Sequence, residues 1–222
     1  MKYALHDGAG DKELVVSGEE YKYLIKVRRH TIGDLITFRN RASLEISYTY
    51  RLEKTDRNNG YFTLEHFKKE RCESTSKLHI GWCIVDPKTI EKTLPMLTEL
   101  GITDITFLHC KRSQKNFRLD FERYKRIMES SMMQCGRTTY IKLHEAPNVT
   151  TFLNAHPDTI VLDFGGVVLN KNEQCSTVLI GCEGGFDEGE KKLFSTHRLR
   201  HFSNPMVLRS ETAVVAIASI LL

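Results

Sequence analysis

The sequence predicts an α/β chain in two parts: a small N-terminal β-barrel over residues 1–70 and a larger α/β domain over residues 71–222. Three observations lead there. Residues 1–70 hold short β-rich runs broken by turn dipeptides. Residues 68–77 are polar and lack hydrophobic period, as a linker does. From Leu78 onward apolar strands alternate with helix-period segments, the pattern of a mostly parallel sheet.

Each element has a local reason. In the first part, residues 14–16, 35–38, 44–50 and 61–64 are strand-like, and Asp7-Gly8, Gly33-Asp34 and Asn58-Asn59-Gly60 punctuate them. Residues 20–29 form a short helix, and strands at this density suit a compact barrel. In the second part, 78–85 is an apolar strand, and Asp86-Pro87 opens a helix over 88–100 that Gly101 stops. A strand at 104–109 precedes a helix at 117–135, where Phe121, Tyr124, Met128, Met132 and Cys135 make one apolar stripe. Strands are expected at 139–143, 160–164 and 178–180. A helix at 188–195, a strand at 202–207 and a helix from Ser210 complete the chain.

Composition bounds the function. With 222 residues, 41% hydrophobic and 27% charged, and only 14 Gly and 5 Pro, the chain is neither disordered nor fibrous. The N-terminus lacks a secretory pattern, and no apolar run approaches the roughly 18 residues of a membrane span, so the chain is expected to be cytoplasmic. Cysteines 72, 83, 110, 135, 175 and 182 contain no CxxC; reduced thiols are expected, and no metal. The net charge of +4 is unevenly spread. Between Lys111 and Lys142 stand nine basic residues (Lys111, Arg112, Lys115, Arg118, Arg123, Lys125, Arg126, Arg137, Lys142) against Asp120, Glu122 and Glu129. A second cluster comprises Lys22, Lys26, Arg28, Arg29, Arg39 and Arg41. Such clusters are either solvated faces or surfaces for a polyanion.

Three stretches compete for a ligand. Val161-Leu162-Asp163-Phe164-Gly165-Gly166 echoes the glycine loop of Rossmann-like methyltransferases, but too little chain follows it for that fold, and a strand end with a turn is the plainer reading. Ile180-Gly181-Cys182-Glu183-Gly184-Gly185-Phe186-Asp187 follows an apolar strand. Its glycines let backbone N–H groups approach a flat ligand, and Asp187 with Glu190 has capping-box spacing. In Leu208-Arg209-Ser210-Glu211-Thr212-Ala213, Ser210 is a candidate helix cap, Glu211 complements the helix dipole, and Arg209 is a cation that either faces an anionic substrate or is merely solvated.

These residues carry a resemblance. IGCEGGFDEGE followed by VLRSETA is similar to the two C-terminal signatures of the RsmE family, the 16S rRNA uridine N3-methyltransferases of the SPOUT superfamily. Leu97-Thr98-Glu99-Leu100-Gly101-Ile102, Arg112-Ser113, Gln134-Cys135-Gly136-Arg137, and Val27, Arg29, Gly33 and Asp34 match further family segments in order. Departures occur. Cys182 replaces a proline, Asn204 a glycine, Met96 a lysine, Met133 a glutamate and Arg28 a leucine.

The resemblance implies a PUA-like barrel joined to a SPOUT domain with a C-terminal trefoil knot, and a homodimer built through the knot. It implies S-adenosylmethionine held by Leu162, Phe164 and Gly165, by Ile180, Gly181, Glu183, Gly184 and Gly185, and by Val207, Leu208, Ser210 and Thr212. The reaction would be N3-methylation of a uridine in 16S rRNA of the small ribosomal subunit. Arg209 would stabilise the uracil anion, and Glu183 or Glu211 would accept or steer the proton. Lys22, Lys26, Arg28, Arg29, Arg112 and Arg137 would hold rRNA. Two alternatives stay open: a SPOUT methyltransferase with another RNA target, and a non-catalytic RNA-binding protein.

Overall fold

A computed structural model describes residues 1–114, 116–171 and 173–222. The chain divides into two compact units, one of Met1–Glu73 with Met132–Thr139, the other of Ser74–Ser131 with Tyr140–Leu222.

The first unit is built on five strands: β1 (Ala4–Leu5), β2 (Glu13–Ser17), β3 (Leu35–Asn40), β4 (Ser43–Thr55) and β5 (Asn59–Lys69). They pair in the order β1-β3-β4-β5-β2, parallel between β1 and β3 and antiparallel elsewhere. Alternation sets the faces. In β2, Leu14 and Val16 are buried while Glu13, Val15 and Ser17 face out. Phe38 stands edge-on to Tyr50 and Phe62 at 5.6 and 5.3 Å, forming the aromatic centre of this core. The β4–β5 turn closes on Asp56, whose Oδ1 accepts the N–H groups of Asn58 and Asn59, each at 2.8 Å. The expected helix over 20–29 is an α-turn (α1, Gly18–Tyr21) that widens to a π-helix over Lys22–Val27 and ends at Arg29 in a left-handed conformation, φ 60°. The 132–139 segment is tied in by Tyr3, whose hydroxyl donates to the Arg137 carbonyl at 2.6 Å.

The second unit holds six parallel strands in the order β11-β9-β10-β6-β7-β8: β6 (His79–Cys83), β7 (Asp104–Leu108), β8 (Lys142–Ala146), β9 (Ile160–Val168), β10 (Thr177–Ile180) and β11 (Arg198–His201). Residues in β10 are all buried, and Ile80 through Cys83 of β6 are too, as expected of strands covered on both faces. The edge strands β8 and β11 are polar instead. Helix α2 (Pro87–Leu100) is capped by Asp86, which accepts from the Lys88 N–H at 2.7 Å, and it buries Ile90, Leu94 and Leu97. Helix α3 (Phe121–Cys135) begins four residues later than expected, where Asp120 Oδ1 accepts the Arg123 N–H. Helices α4 (Val149–Ala155), α5 (Glu188–Lys192) and α6 (Ser210–Leu221) complete the unit, and α6 packs against α2.

Two strand expectations are corrected. The strand expected at 139–143 lies at Lys142–Ala146. Residues 202–207 hold no strand, with bends at 203–206, and the strand is Arg198–His201 just before them. Asn204-Pro205 breaks the backbone pairing that an apolar run alone suggested. Among the described residues no helix is long and apolar enough to cross a membrane, and no group of three or more His, Cys, Asp or Glu side chains is arranged to hold a metal.

At the amino end of the sheet, His79 Nε2 lies 2.7 Å from Thr106 Oγ1, with its ring edge-on to Phe152 and to His156. Burial first, then the neighbouring imidazoles of His156 and His144 against the pull of Asp104, push its pKa down to about 4. The unfolded chain therefore binds a proton that the folded one refuses. This stabilisation is complete above about pH 6.5 and is lost as pH falls toward about 4, amounting to about 1–2 kcal/mol. His79→Asn should flatten the fall of Tm between those limits; an unchanged slope would assign the acid sensitivity elsewhere.

Candidate functional site

The middle of β9 and the carboxyl end of β10 open onto a cavity of about 390 Å³, within the roughly 300–1,000 Å³ of small-molecule sites. The sheet order reverses here. The chain runs from β6 outward through β7 and β8, then returns on the other side of β6, and such switch points leave crevices at strand ends. Residues 162–164, 180–186 and 201–208, with Ser210 and Ala213, form the wall.

The glycine loop is shaped by its own backbone. The Gly185 N–H donates to the Cys182 carbonyl at 2.9 Å, closing a turn that holds Gly185 at φ +66°, where a side chain is strained. Beyond it the capping box forms as its spacing requires: Asp187 Oδ1 accepts the Glu190 N–H at 2.7 Å, and Glu190 Oε2 accepts the Asp187 N–H at 3.0 Å. Buried Glu190 also accepts the Lys111 N–H at 2.8 Å through its other oxygen. Arg112 Nη1 donates to the Gly184 carbonyl at 2.7 Å. The loop after β7 thus braces the loop after β10.

Ser210 is not the cap of α6. Arg209 occupies that position with extended backbone and no side-chain cap bond, and Ser210 is the first helical residue. The buried Ser210 hydroxyl instead accepts from Trp82 Nε1 at 2.8 Å and donates to the Gly181 carbonyl at 2.6 Å. One side chain therefore joins β6, the glycine loop and α6. Ser210→Ala strands a buried indole N–H and a carbonyl, and should cost about 2–3 kcal/mol. Thermal denaturation checks this, and an unchanged Tm would remove the bridge from the account of the site.

Of the residues singled out from sequence, the cavity wall contains Leu162, Phe164, Ile180, Gly181, Glu183, Gly184, Gly185, Val207, Leu208 and Ser210. Gly165 and Thr212 are exposed and lie outside it. Arg209 and Glu211 do not line it either. Arg209 is 84% exposed at the start of α6, with Nη1 4.0 Å from Glu211 Oε1. Cys182 and Phe186, inside the expected glycine loop, line the cavity too, and Asp163 and His201 line it without having been singled out. Asp163 was legible as the acid beside Phe164, whereas His201 comes from a strand the hydrophobic pattern missed.

The basic residues separate. Lys22, Lys26, Arg28 and Arg29 are exposed on the first unit, and Arg28 lies over the Tyr23 ring with Nη2 2.7 Å from its hydroxyl. Arg112 is spent on the glycine loop. Arg137 is corrected: it is 6% exposed, packed within the first unit, and presents no open cationic surface. Arg39 is buried as well, donating to the Leu44 and Glu70 carbonyls. Lys115 lies outside the described residues.

A six-stranded parallel sheet with a glycine-walled cavity at its switch point defines the class, and comparison agrees with it. Residues 72–222 match the family model described as the RNA methyltransferase domain. A ribosomal RNA small subunit methyltransferase E from Helicobacter pylori is 31% identical over 224 residues, covering 99% of each chain. The chain belongs to the ribosomal RNA small subunit methyltransferase E family. The fold is shared with a putative Legionella pneumophila methyltransferase solved with bound S-adenosylmethionine (TM-score 0.77, 23% identity, 98% and 94% of the two chains). It is shared too with a Neisseria gonorrhoeae small subunit methyltransferase E bound to S-adenosylmethionine (TM-score 0.76, 19% identity, 99% and 95%).

Proposed function

We propose that this protein transfers a methyl group from S-adenosylmethionine to N3 of a uridine in 16S rRNA of the small ribosomal subunit. The observation that carries this is the cavity itself: a glycine loop, a strand end and the 201–208 segment converge on one space of about 390 Å³. The wall suits the cofactor, with Leu162, Ile180 and Leu208 for an apolar face and loop backbone for the edge of a planar base. When bound, the cofactor supplies an electrophilic methyl on a sulfonium.

The chain's part is positioning and charge. Arg209 is tethered beside Leu208 and Ser210 yet its guanidinium is open to solvent, so it can reach the O2 and O4 atoms of a uracil losing its N3 proton. Glu183 lines the cavity and Glu211 does not, which favours Glu183 to accept or steer that proton. Residues 1–70 act as a PUA-like RNA-binding barrel whose cations Lys22, Lys26, Arg28 and Arg29 meet phosphates, and 71–222 is the SPOUT domain. A trefoil knot is supported by the chain path: after edge strand β11 the backbone returns to the end of β10, where Ser210 bonds Gly181. Exposed Phe164, Val167, Val168, Met206 and Val207 form the apolar surface for a homodimer in the cytoplasm.

The test is methyl transfer from labelled S-adenosylmethionine to small subunits lacking the modification, with the product nucleoside identified by mass spectrometry. N3-methyluridine is the expected product. Label in another nucleoside would replace the target, and absence of both label and cofactor binding would leave an RNA-binding scaffold.

A further inference from the structure

The carboxyl ends of three neighbouring strands each carry a cysteine. Cys83 ends β6, Cys110 lies two residues beyond β7, and Cys182 lies two residues beyond β10. All are buried and all are free thiols. Cys110 Sγ and Cys182 Sγ are 3.2 Å apart, and Ser113 Oγ is 3.1 Å from Cys110 Sγ. Cys182 is part of the cavity wall, within the glycine loop. We propose that Cys110 and Cys182 are an oxidation-sensitive pair: hydrogen peroxide entering the cavity joins them as a disulfide, which displaces the glycine loop and suppresses cofactor binding until a thiol reductant reopens it. The proposal rests on the cofactor reading above.

The chemistry balances with peroxide as the oxidant. Of two sulfurs 3.2 Å apart, Cys110 carries the negative charge and Cys182, at the cavity wall, keeps the proton. The Cys110 thiolate attacks one oxygen of a peroxide that has entered past Cys182; the O–O bond breaks, an S–O bond forms, and the departing hydroxide takes a proton to become water. The Cys182 sulfur then attacks the Cys110 sulfenic sulfur and gives up its proton, an S–S bond forms, the S–O bond breaks, and a second water leaves. Two thiols and one peroxide become one disulfide and two waters, the sulfurs together giving up two electrons.

The environment favours the first ionisation. Hydrogen bonds from Cys182 and then Cys83 outweigh burial and hold Cys110 well below the usual thiol range, while sharing with Cys110 pushes Cys182 up. The first proton of the pair therefore leaves easily and the second is held. A more remote device would not touch the ligand. Here closure must shorten the S···S separation from 3.2 Å to about 2.05 Å, which draws Cys182 and its loop toward β7 by about 1 Å. Displacement of that order at a reacting centre costs on the order of a hundredfold in rate.

The test treats the full-length protein with peroxide, quenches it, and maps linked peptides by mass spectrometry, with S-adenosylhomocysteine affinity measured by calorimetry before and after. A Cys110–Cys182 link, about tenfold or greater loss of affinity, and recovery with dithiothreitol are expected. Saturating S-adenosylhomocysteine should slow the linkage by covering Cys182. Cys110→Ser should form no link and should keep its own untreated affinity through the peroxide step. Six titratable thiols after treatment, a link through Cys83 instead, or a link with unchanged affinity would overturn the proposal. If the untreated protein binds no S-adenosylhomocysteine, the cofactor reading fails and the regulation falls with it, a result separable from intact binding that peroxide does not alter.

Discussion

Arg209→Ala is expected to lower turnover by about 10²–10³-fold while leaving cofactor affinity and Tm nearly unchanged. The geometry separates those quantities. Arg209 lies outside the cavity wall and is 84% exposed, so neither packing nor cofactor contact depends on its guanidinium. Only a substrate brought to the cavity mouth would meet it, and there it would face a base whose negative charge grows as N3 is deprotonated. An interaction that strengthens along the reaction appears in kcat more than in KM. Arg209→Lys should recover part of the loss, because an ammonium restores the charge but cannot bridge two oxygens as a planar guanidinium does. Single-turnover rates at saturating RNA decide it: an Ala variant at the parent rate would remove Arg209 from the mechanism, and a selective loss of RNA affinity would make it a binding cation only.

Some of this site was legible in the residues and some was not. The glycine loop and its helix start could be read because three short-range signals coincide: the apolar run Val178-Leu179-Ile180, three glycines in five positions, and Asp187 three residues before Glu190. The braces on that loop were hidden, because Arg112 and Lys111 reach it from over seventy positions away and their spacing carries no signature. Ser210 shows how a local rule fails. Serine before an acidic first turn reads as a cap, but the buried indole of Trp82 and the Gly181 carbonyl compete for its hydroxyl and win. Strand β11, Arg-Leu-Arg-His, has no apolar alternation, and its position is fixed by tertiary partners, Arg200 pairing with Glu173. Helix α4 is β-branched and was not expected, yet Asn148 starts it by accepting the Thr151 N–H at 2.9 Å. Arg137 fell among cations by counting charge, which says nothing about which way a long side chain turns.

The other large effect is expected at Gly166, a position with no polar chemistry. β9 pairs with β11 through Val161 opposite Leu199 and resumes at Val167 opposite Arg200, so the residues between them bulge from the ladder. That bulge is what carries Leu162, Asp163 and Phe164 into the cavity wall. Re-pairing requires Gly166 to pass so close to β11 that a Cβ there would lie 2.4 Å from both the carbonyl carbon and oxygen of Leu199. Those are backbone atoms and no rotamer change relieves them. Gly166→Ala should therefore cost about 3 kcal/mol and lower Tm by about 6–12 °C, with β11 and the following 201–208 wall loosened together. Cofactor binding should weaken in the same variant although Gly166 touches no ligand. Gly165→Ala is the matched comparison: its Cβ would meet nothing within 4 Å, and only its φ of +85° opposes a side chain, for about 1 kcal/mol. Thermal melts of the two variants distinguish a steric lock from simple backbone strain. Equal losses would deny the close approach of β9 to β11, and with it the reason the cofactor wall stands where it does.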